Sequence, residues 1–144
     1  MRVLLDTSVL VAAMIESHPA HKQAFPWLQH VIDGTNTGLV AAHSIVELYA
    51  ILTTLPIQPR IPPSVAQRLI HENVINVCKV ISLSDKDYAS IIEHLSESGI
   101  IGGVTYDALI MYSALKSDAE RLVTLNDKDF RRIYPNHADK VTPP

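Results

Sequence analysis

The sequence predicts an α/β fold built around a parallel sheet. Short runs rich in aliphatic and β-branched residues alternate along the 144 residues with longer segments whose apolar residues recur at helical spacing. The first run, residues 2–5, ends at Asp6, and a helical pattern begins near Ser8. Strands joined through helices run parallel, so their carboxyl ends share one edge of the sheet. Because ligands bind at that edge in open α/β sheets, Asp6 is a candidate ligand-handling group.

The predicted elements follow from periodicity and from local start and stop signals. Ser84 and Asp87 form a capping-box pattern at the start of one helix, and Gly99 ends it. Four prolines between residues 56 and 63 exclude a helix or a central strand there. Residues 33–38 are predicted to form a turn, and the tail beyond Pro135 an irregular or weak edge element. The predicted strands are 2–5, 39–42, 77–83 and 121–125, and the predicted helices are 8–15, 20–32, 44–55, 64–75, 84–99, 106–115 and 126–133.

Composition limits the classes of protein to consider. A chain of 144 residues that is 47% hydrophobic is expected to form one domain, residues 1–144, with a real core. The single cysteine, Cys78, excludes an internal disulfide and a cysteine-rich zinc site. We see neither a signal peptide nor a membrane span, which predicts a cytoplasmic protein. A net charge of −3 argues against a general basic surface for nucleic acid, so such binding would need local cations or a metal.

Acidic and amide side chains lie just after predicted strands or in the first turns of predicted helices. Parallel strands would bring these residues to one edge, where oxygen ligands suit a hard divalent cation such as magnesium. The alternative is ordinary helix capping, because Ser44 with Glu47, and Asn126 with Asp129, also fit capping boxes. The pattern alone leaves both interpretations open. The residues concerned are Asp6, Glu47, Asp107, Asn126 and Asp129.

Four segments, taken in order, resemble the motifs of PIN-domain ribonucleases, and most closely those of VapC-like toxins from bacterial toxin–antitoxin pairs. They are residues 4–10, 44–48, 106–110 and 122–130. The resemblance implies a three-layer α/β/α fold with a central parallel sheet of four or five strands. It also implies metal-dependent hydrolysis of RNA, with Mg²⁺ or Mn²⁺ held by Asp6, Glu47 and Asp107.

The fourth motif departs from the family pattern. Many relatives have an aspartate where this chain has Asn126, so Asn126 is expected to coordinate through its carbonyl oxygen and Asp129 to take over part of the role. Asp127 is interpreted as a surface residue. Other residues near the motifs are expected to orient the carboxylates or contact RNA phosphates; they are Thr7, Ser8, Thr105, Thr124 and Arg131. Arg131 belongs to a basic stretch that also includes Lys128 and Arg132.

The resemblance also implies partners. A small antitoxin is expected to cover the acidic pocket, and two copies of the chain are expected to pair as a homodimer. The apolar residues Tyr49, Leu52, Leu55 and Ile57 fit either a partner groove or the core. Two rival functions remain at this point: a phosphotransfer domain with Asp6 as nucleophile, and a PIN-like binding module inactivated by its Asn126.

Overall fold

Five parallel strands form the central sheet in a computed structural model that describes all 144 residues. The strands are β1 (Arg2–Leu5), β2 (Thr37–Ala41), β3 (Cys78–Ile81), β4 (Arg121–Val123) and β5 (Val141–Thr142). Their order across the sheet is β3-β2-β1-β4-β5, and each neighbouring pair is parallel. In this register Leu4 of the central strand lies beside Leu39 and Leu122. The predicted parallel sheet is confirmed, and the tail supplies its weak edge strand.

Seven α-helices cover the two faces of the sheet. They are α1 (Thr7–Met14), α2 (His21–Ile32), α3 (Ala42–Thr54), α4 (Pro63–Ile70), α5 (Asp85–Ser98), α6 (Val104–Lys116) and α7 (Asp127–Ile133). A π-helical turn, His71–Ile75, continues α4, and a 3-10 helix, Pro135–Lys140, precedes β5. None of the helices is long and apolar enough to cross a membrane.

The alternating side chains of β1 divide the core into two layers. Val3 and Leu5 pack on one face of the sheet with residues of α1 to α4, whereas Leu4 packs on the other face with residues of α6 and α7. This is the period-two alternation of a strand buried on both faces. The three-layer α/β/α arrangement is therefore confirmed.

The second strand begins earlier than its sequence suggests. Gly38, predicted to belong to a turn, is a buried residue of β2. A Cβ atom there would collide with Val31 of α2 and come within 3.0 Å of the Cys78 Sγ of β3. The glycine thus lets a helix and a neighbouring strand approach β2 closely, and its role is packing, not turn formation.

Helix starts divide into one confirmed capping box and two that do not form. At α5, the Ser84 N–H donates to Asp87 Oδ2 at 2.8 Å, and the Asp87 N–H donates to Ser84 Oγ at 3.2 Å. Helix α3 instead begins at Ala42, directly after β2, which leaves Ser44 buried inside the helix with no partner for its hydroxyl. At α7 the Asn126 side chain makes no capping hydrogen bond. The capping explanation therefore fails for Glu47 and for Asn126 with Asp129.

Candidate active site

Asp6 lies at the carboxyl end of the central strand and is held on several sides. Its N–H donates to the Val123 carbonyl at 3.0 Å. Its side chain accepts hydrogen bonds from Ser8 Oγ at 2.6 Å and Thr124 Oγ1 at 2.8 Å, both on Oδ2. The residue is only 4% exposed, and its side chain does not cap α1. Asp6 is thus a fixed carboxylate rather than an ordinary turn residue.

The two hydroxyls that hold Asp6 are themselves fixed by the loop after β4. Ser8 Oγ accepts from the Leu125 N–H at 3.1 Å, and Thr124 Oγ1 accepts from the Asn126 N–H at 3.0 Å. Each hydroxyl therefore accepts a hydrogen bond from a backbone N–H and donates one to the same carboxylate oxygen, Asp6 Oδ2. This network joins the end of β1 to the loop that carries the fourth motif.

Asp107 lies in the first turn of α6, within reach of the charges of the other acids. Burial raises its pKa, and the negative charges of Asp6, Asp129 and Glu47 raise it further, to about 7, although Arg132 lowers it. Burial also raises the pKa of Asp6, more than the hydroxyl hydrogen bonds lower it, and Glu47 adds to the increase. Four carboxylates that are far apart in sequence therefore share one electrostatic environment at the carboxyl edge of the sheet.

The remaining acids are more accessible than Asp6. Glu47 Oε2, on α3, lies 3.5 Å from His43 Nε2, and Asp129 Oδ1, on α7, lies 3.4 Å from Arg132 Nη2. Asn126 precedes α7, where its backbone carbonyl accepts from the first-turn N–H groups, and its side chain is exposed. The structure thus places Asp6, Glu47, Asp107 and Asp129 near enough to one another for the charges of the other three to act on Asp107, with Asn126 beside the network of Asp6.

These donors fit a hard divalent cation in their chemistry. Carboxylate and amide oxygens are the ligands that Mg²⁺ and Mn²⁺ prefer, and a cation would relieve the mutual repulsion that raises the pKa of Asp107. As the side chains lie, no three His, Cys, Asp or Glu groups are close enough together to hold a metal ion. Cation binding would therefore require these carboxylates to move closer together than they lie here.

The residues predicted to orient the site fall into two groups. Ser8 and Thr124 contact Asp6 directly, as described above. Thr7 Oγ1 is buried with no partner, and Thr105 makes no hydrogen bond to a carboxylate. Only half of the hydroxyls singled out from sequence therefore touch an acid.

Arg131, which is expected to contact phosphate, is paired with other groups of the protein in the structure. Its guanidinium donates to Asp127 Oδ2 at 2.8 Å and to the Val141 carbonyl at 3.2 Å, which ties α7 to β5. Arg132, the next residue, is the cation that faces Asp129 and lowers the pKa of Asp107. Consecutive residues of a helix point about 100° apart, so Arg131 and Arg132 face different neighbours on α7.

Two aromatic side chains beside the acids were not predicted from sequence. His43 lies one helical turn before Glu47 on α3, and Tyr106 immediately precedes Asp107 on α6. Their rings are stacked, with centroids 5.6 Å apart and planes at 3°. The available signal was the i, i+4 spacing of His43 and Glu47, which places both on one face of a helix.

Comparison with known proteins identifies the family of the chain. The PIN domain model matches residues 3–135. Ribonuclease VapC40 of Mycobacterium tuberculosis is 34% identical over 129 residues, which cover 89% of this chain and 87% of the relative.

Two solved structures share the fold. The VapBC2 structure from Rickettsia felis, bound to a DNA fragment from its promoter, has a TM-score of 0.69 at 23% identity and covers 99% of this chain and 98% of that one. The Mycobacterium tuberculosis VapC20 structure, described as a sarcin–ricin loop cleaving toxin, has a TM-score of 0.65 at 13% identity over 83% of this chain and 86% of that one. Because the PIN domain model matches residues 3–135, the chain belongs to the PIN domain family, and within it is similar to the VapC ribonucleases.

Proposed function

We propose that this protein is a metal-dependent ribonuclease and the toxin of a toxin–antitoxin pair. The observation that carries the proposal is that three carboxylates, those of Asp6, Glu47 and Asp129, act on Asp107 at the carboxyl edge of the sheet. Ribonuclease VapC40, which is similar over most of its length, supports RNA as the substrate. The proposed reaction is hydrolysis of an RNA phosphodiester bond.

Asp6, Glu47 and Asp107 would hold the divalent cation, with Asn126 and Asp129 completing the set; we propose Mg²⁺ or Mn²⁺. When bound, the cation lowers the pKa of a water molecule and stabilises negative charge on the phosphate. The protein's own contribution is positioning. Ser8 and Thr124 fix the orientation of Asp6, and Asp107 would have to be deprotonated to hold the cation.

Arg132 is the side chain best placed to meet an RNA phosphate, because it is exposed and lies beside Asp129. A guanidinium suits phosphate oxygens, and it compensates locally for the net charge of −3. Lys128 is exposed on the same helix and is a second, weaker candidate. Substrate recognition at this site would therefore depend on few cations.

The phosphotransfer alternative finds no support in the site. A nucleophilic Asp6 would have to present its carboxylate to substrate, yet it is 4% exposed and accepts two hydroxyl hydrogen bonds on one oxygen. Membership of the PIN domain family also argues against that chemistry.

An apolar groove offers a surface for the proposed antitoxin. It lies between α3 and the segment from α4 through the π-helical turn, has a volume of about 290 Å³, and is lined by Ile45, Val46, Tyr49, Gln67, Ile70, His71 and Ile75. Of the apolar residues considered from sequence, Tyr49 lines this groove, Leu52 is fully buried in the core, and Leu55 and Ile57 are half-buried. We also propose that two copies of the chain pair as a homodimer. Light scattering of the purified protein measures this oligomeric state.

The direct test is cleavage of a mixed RNA pool by the purified protein with Mg²⁺ or Mn²⁺. We expect chelation, Asp6→Asn and Asp107→Asn each to reduce the rate by about 100-fold or more, because each removes charge stabilisation at the phosphate. Cleavage that survives chelation or both substitutions would exclude this mechanism.

The same assay separates an active enzyme from a binding module and settles the fourth motif. Asn126→Ala and Asp129→Ala are compared at equal metal concentration. A loss for Asp129→Ala alone would show that Asn126 is not required. Binding of RNA by wild-type protein without any cleavage would instead favour the inactive module.

A further inference from the structure

The stacked pair of His43 and Tyr106 has a geometry that the metal chemistry does not explain. Tyr106 is 56% exposed, although tyrosine usually buries much of its ring, and it lies at the start of α6 next to Asp107. His43 lies at the start of α3 and is covered more than Tyr106. Two parallel rings therefore stand at the edge of the acidic site.

The order of the two rings leaves one aromatic face free. His43 Nε2 lies 3.5 Å from Glu47 Oε2, so the imidazole stands beside one of the acids. Tyr106 stacks against this ring with an interplanar angle of 3°, and a centroid separation of 5.6 Å means that the rings are offset. Because one side of Tyr106 faces His43 and the residue is largely exposed, its other face is open to a planar ligand.

We propose that His43 and Tyr106 form a stacking platform for one unpaired nucleobase of the RNA, next to the phosphate that is cleaved. The proposal rests on the proposed ribonuclease function. Every nucleobase has a π face, so an aromatic ring binds RNA without needing positive charge. This matters in a protein with a net charge of −3 and four carboxylates at the site, where electrostatic attraction to RNA is weak.

The position of the platform links base binding to the chemistry. Tyr106 and Asp107 are consecutive, and His43 and Glu47 are one helical turn apart, so each ring is carried by the same helix end as an acid. A base stacked on Tyr106 would hold its own phosphate beside those acids. Since a base inside a duplex is covered by its neighbours, the platform selects single-stranded or looped RNA.

The first experiment compares an RNA oligonucleotide containing the cleaved bond with two versions that lack the base on one or the other side of that bond. For wild-type protein we expect kcat/KM to fall about tenfold for one abasic version. On intact RNA, the kcat/KM of Tyr106→Ala should be lower than that of wild type by the same factor. It should fall no further when that abasic version replaces the intact RNA. Tyr106→Phe should retain the wild-type pattern, because it keeps the ring.

The matched control is Phe25→Ala on α2, which removes another exposed ring that contacts a histidine, His21. We expect it to behave as wild type. The platform would be overturned if Tyr106→Ala kept the wild-type kcat/KM on intact RNA. It would also be overturned if the kcat/KM of Tyr106→Ala fell further, and equally, on both abasic substrates. A general loss of structure cannot imitate the expected result, because it would lower the rate on every substrate alike.

A binding measurement keeps the platform testable if the protein does not cleave RNA. The probe is an oligouridylate with one 2-aminopurine, whose fluorescence is quenched by stacking, titrated with the Asp107→Asn variant in Mg²⁺. We expect the Asp107→Asn protein to quench the fluorescence. A second substitution in that protein, Tyr106→Ala, should abolish the quenching, whereas Tyr106→Phe should keep it. Quenching without cleavage by wild-type protein would reject the ribonuclease and retain the platform, whereas cleavage without Tyr106-dependent quenching would do the reverse.

Discussion

Asp107 is the residue whose chemistry the folded structure changes most clearly. Burial and three neighbouring carboxylates raise its pKa from 3.8 to about 7. The folded protein therefore binds a proton more tightly at this position than the unfolded chain does. Stability that depends on Asp107 is greatest at low pH, falls as pH rises from about 4 to 7, and stays reduced above 7.

Asp107→Asn should consequently stabilise the protein when no cation is bound. We expect its melting temperature in chelator to exceed that of wild type by a few degrees at pH 8, with the difference shrinking as pH falls toward 4.5. Addition of Mg²⁺ should narrow or reverse the difference at pH 8, since binding to the folded state stabilises wild type more. A lower melting temperature for Asp107→Asn in chelator at pH 8 would contradict this account.

The sequence predicts which acids lie near one another but not which neighbouring side chains contact them. Asp6 and Asp107 were identifiable because strand ends and helix starts lie at one edge of a parallel sheet. Arg131 and Arg132 were not distinguishable, because the rotational phase of a seven-residue helix depends on how Phe130 and Ile133 pack in the core. The open ring of Tyr106 likewise depends on the meeting of α3 and α6, which no local pattern encodes.

Among the secondary-structure elements, β2 depends most clearly on a single residue. The sequence predicts a turn at Gly38 because glycine clusters with polar residues there, but tertiary packing against α2 and β3 decides its role. Gly38→Ala should destabilise the protein by about 2 kcal/mol, as overpacking of a tight core does. Urea unfolding measures this directly, through the midpoint at an unchanged slope.

Gly103→Ala is the matched control for Gly38→Ala. Gly103 has φ −63° and nothing within 4 Å of an added Cβ, so alanine fits its backbone and its surroundings. We expect its unfolding free energy to equal or slightly exceed that of wild type, because alanine restricts the unfolded chain. Equal destabilisation by both substitutions would show that packing at Gly38 is not the cause.

The helix starts show why element boundaries were less predictable than element types. The capping-box pattern is the same at residues 84–87 and 44–47, but only the first sits on a free helix end. At α3 the strand leads straight into the helix, so Ser44 falls inside it and its hydroxyl is buried. The 3.6-residue periodicity that predicted α3 was correct, whereas the local start signal was wrong.

Across the whole molecule, two surfaces have different proposed functions. The carboxyl edge carries the acids and the stacked rings, while the apolar groove lies between α3 and the α4 segment. Helix α3 contributes to both, since Glu47 belongs to the acidic site and Tyr49 lines the groove. A partner bound in the groove would therefore lie close to the active site without having to contact every acid.

Ile75→Asp tests that arrangement. Ile75 lies in the π-helical turn, is 40% exposed and lines the groove. A charge placed in a desolvated apolar interface is costly, so we expect binding of an antitoxin encoded beside this gene to weaken by about tenfold or more. The measurement is titration calorimetry, with antitoxin inhibition of RNA cleavage as the second readout.

Ile92→Asp on α5, which changes an aliphatic residue that is 63% exposed, is the control and should bind as wild type does. Unchanged affinity in Ile75→Asp would place the antitoxin on another surface, and the absence of any neighbouring antitoxin gene would favour a ribonuclease that acts alone.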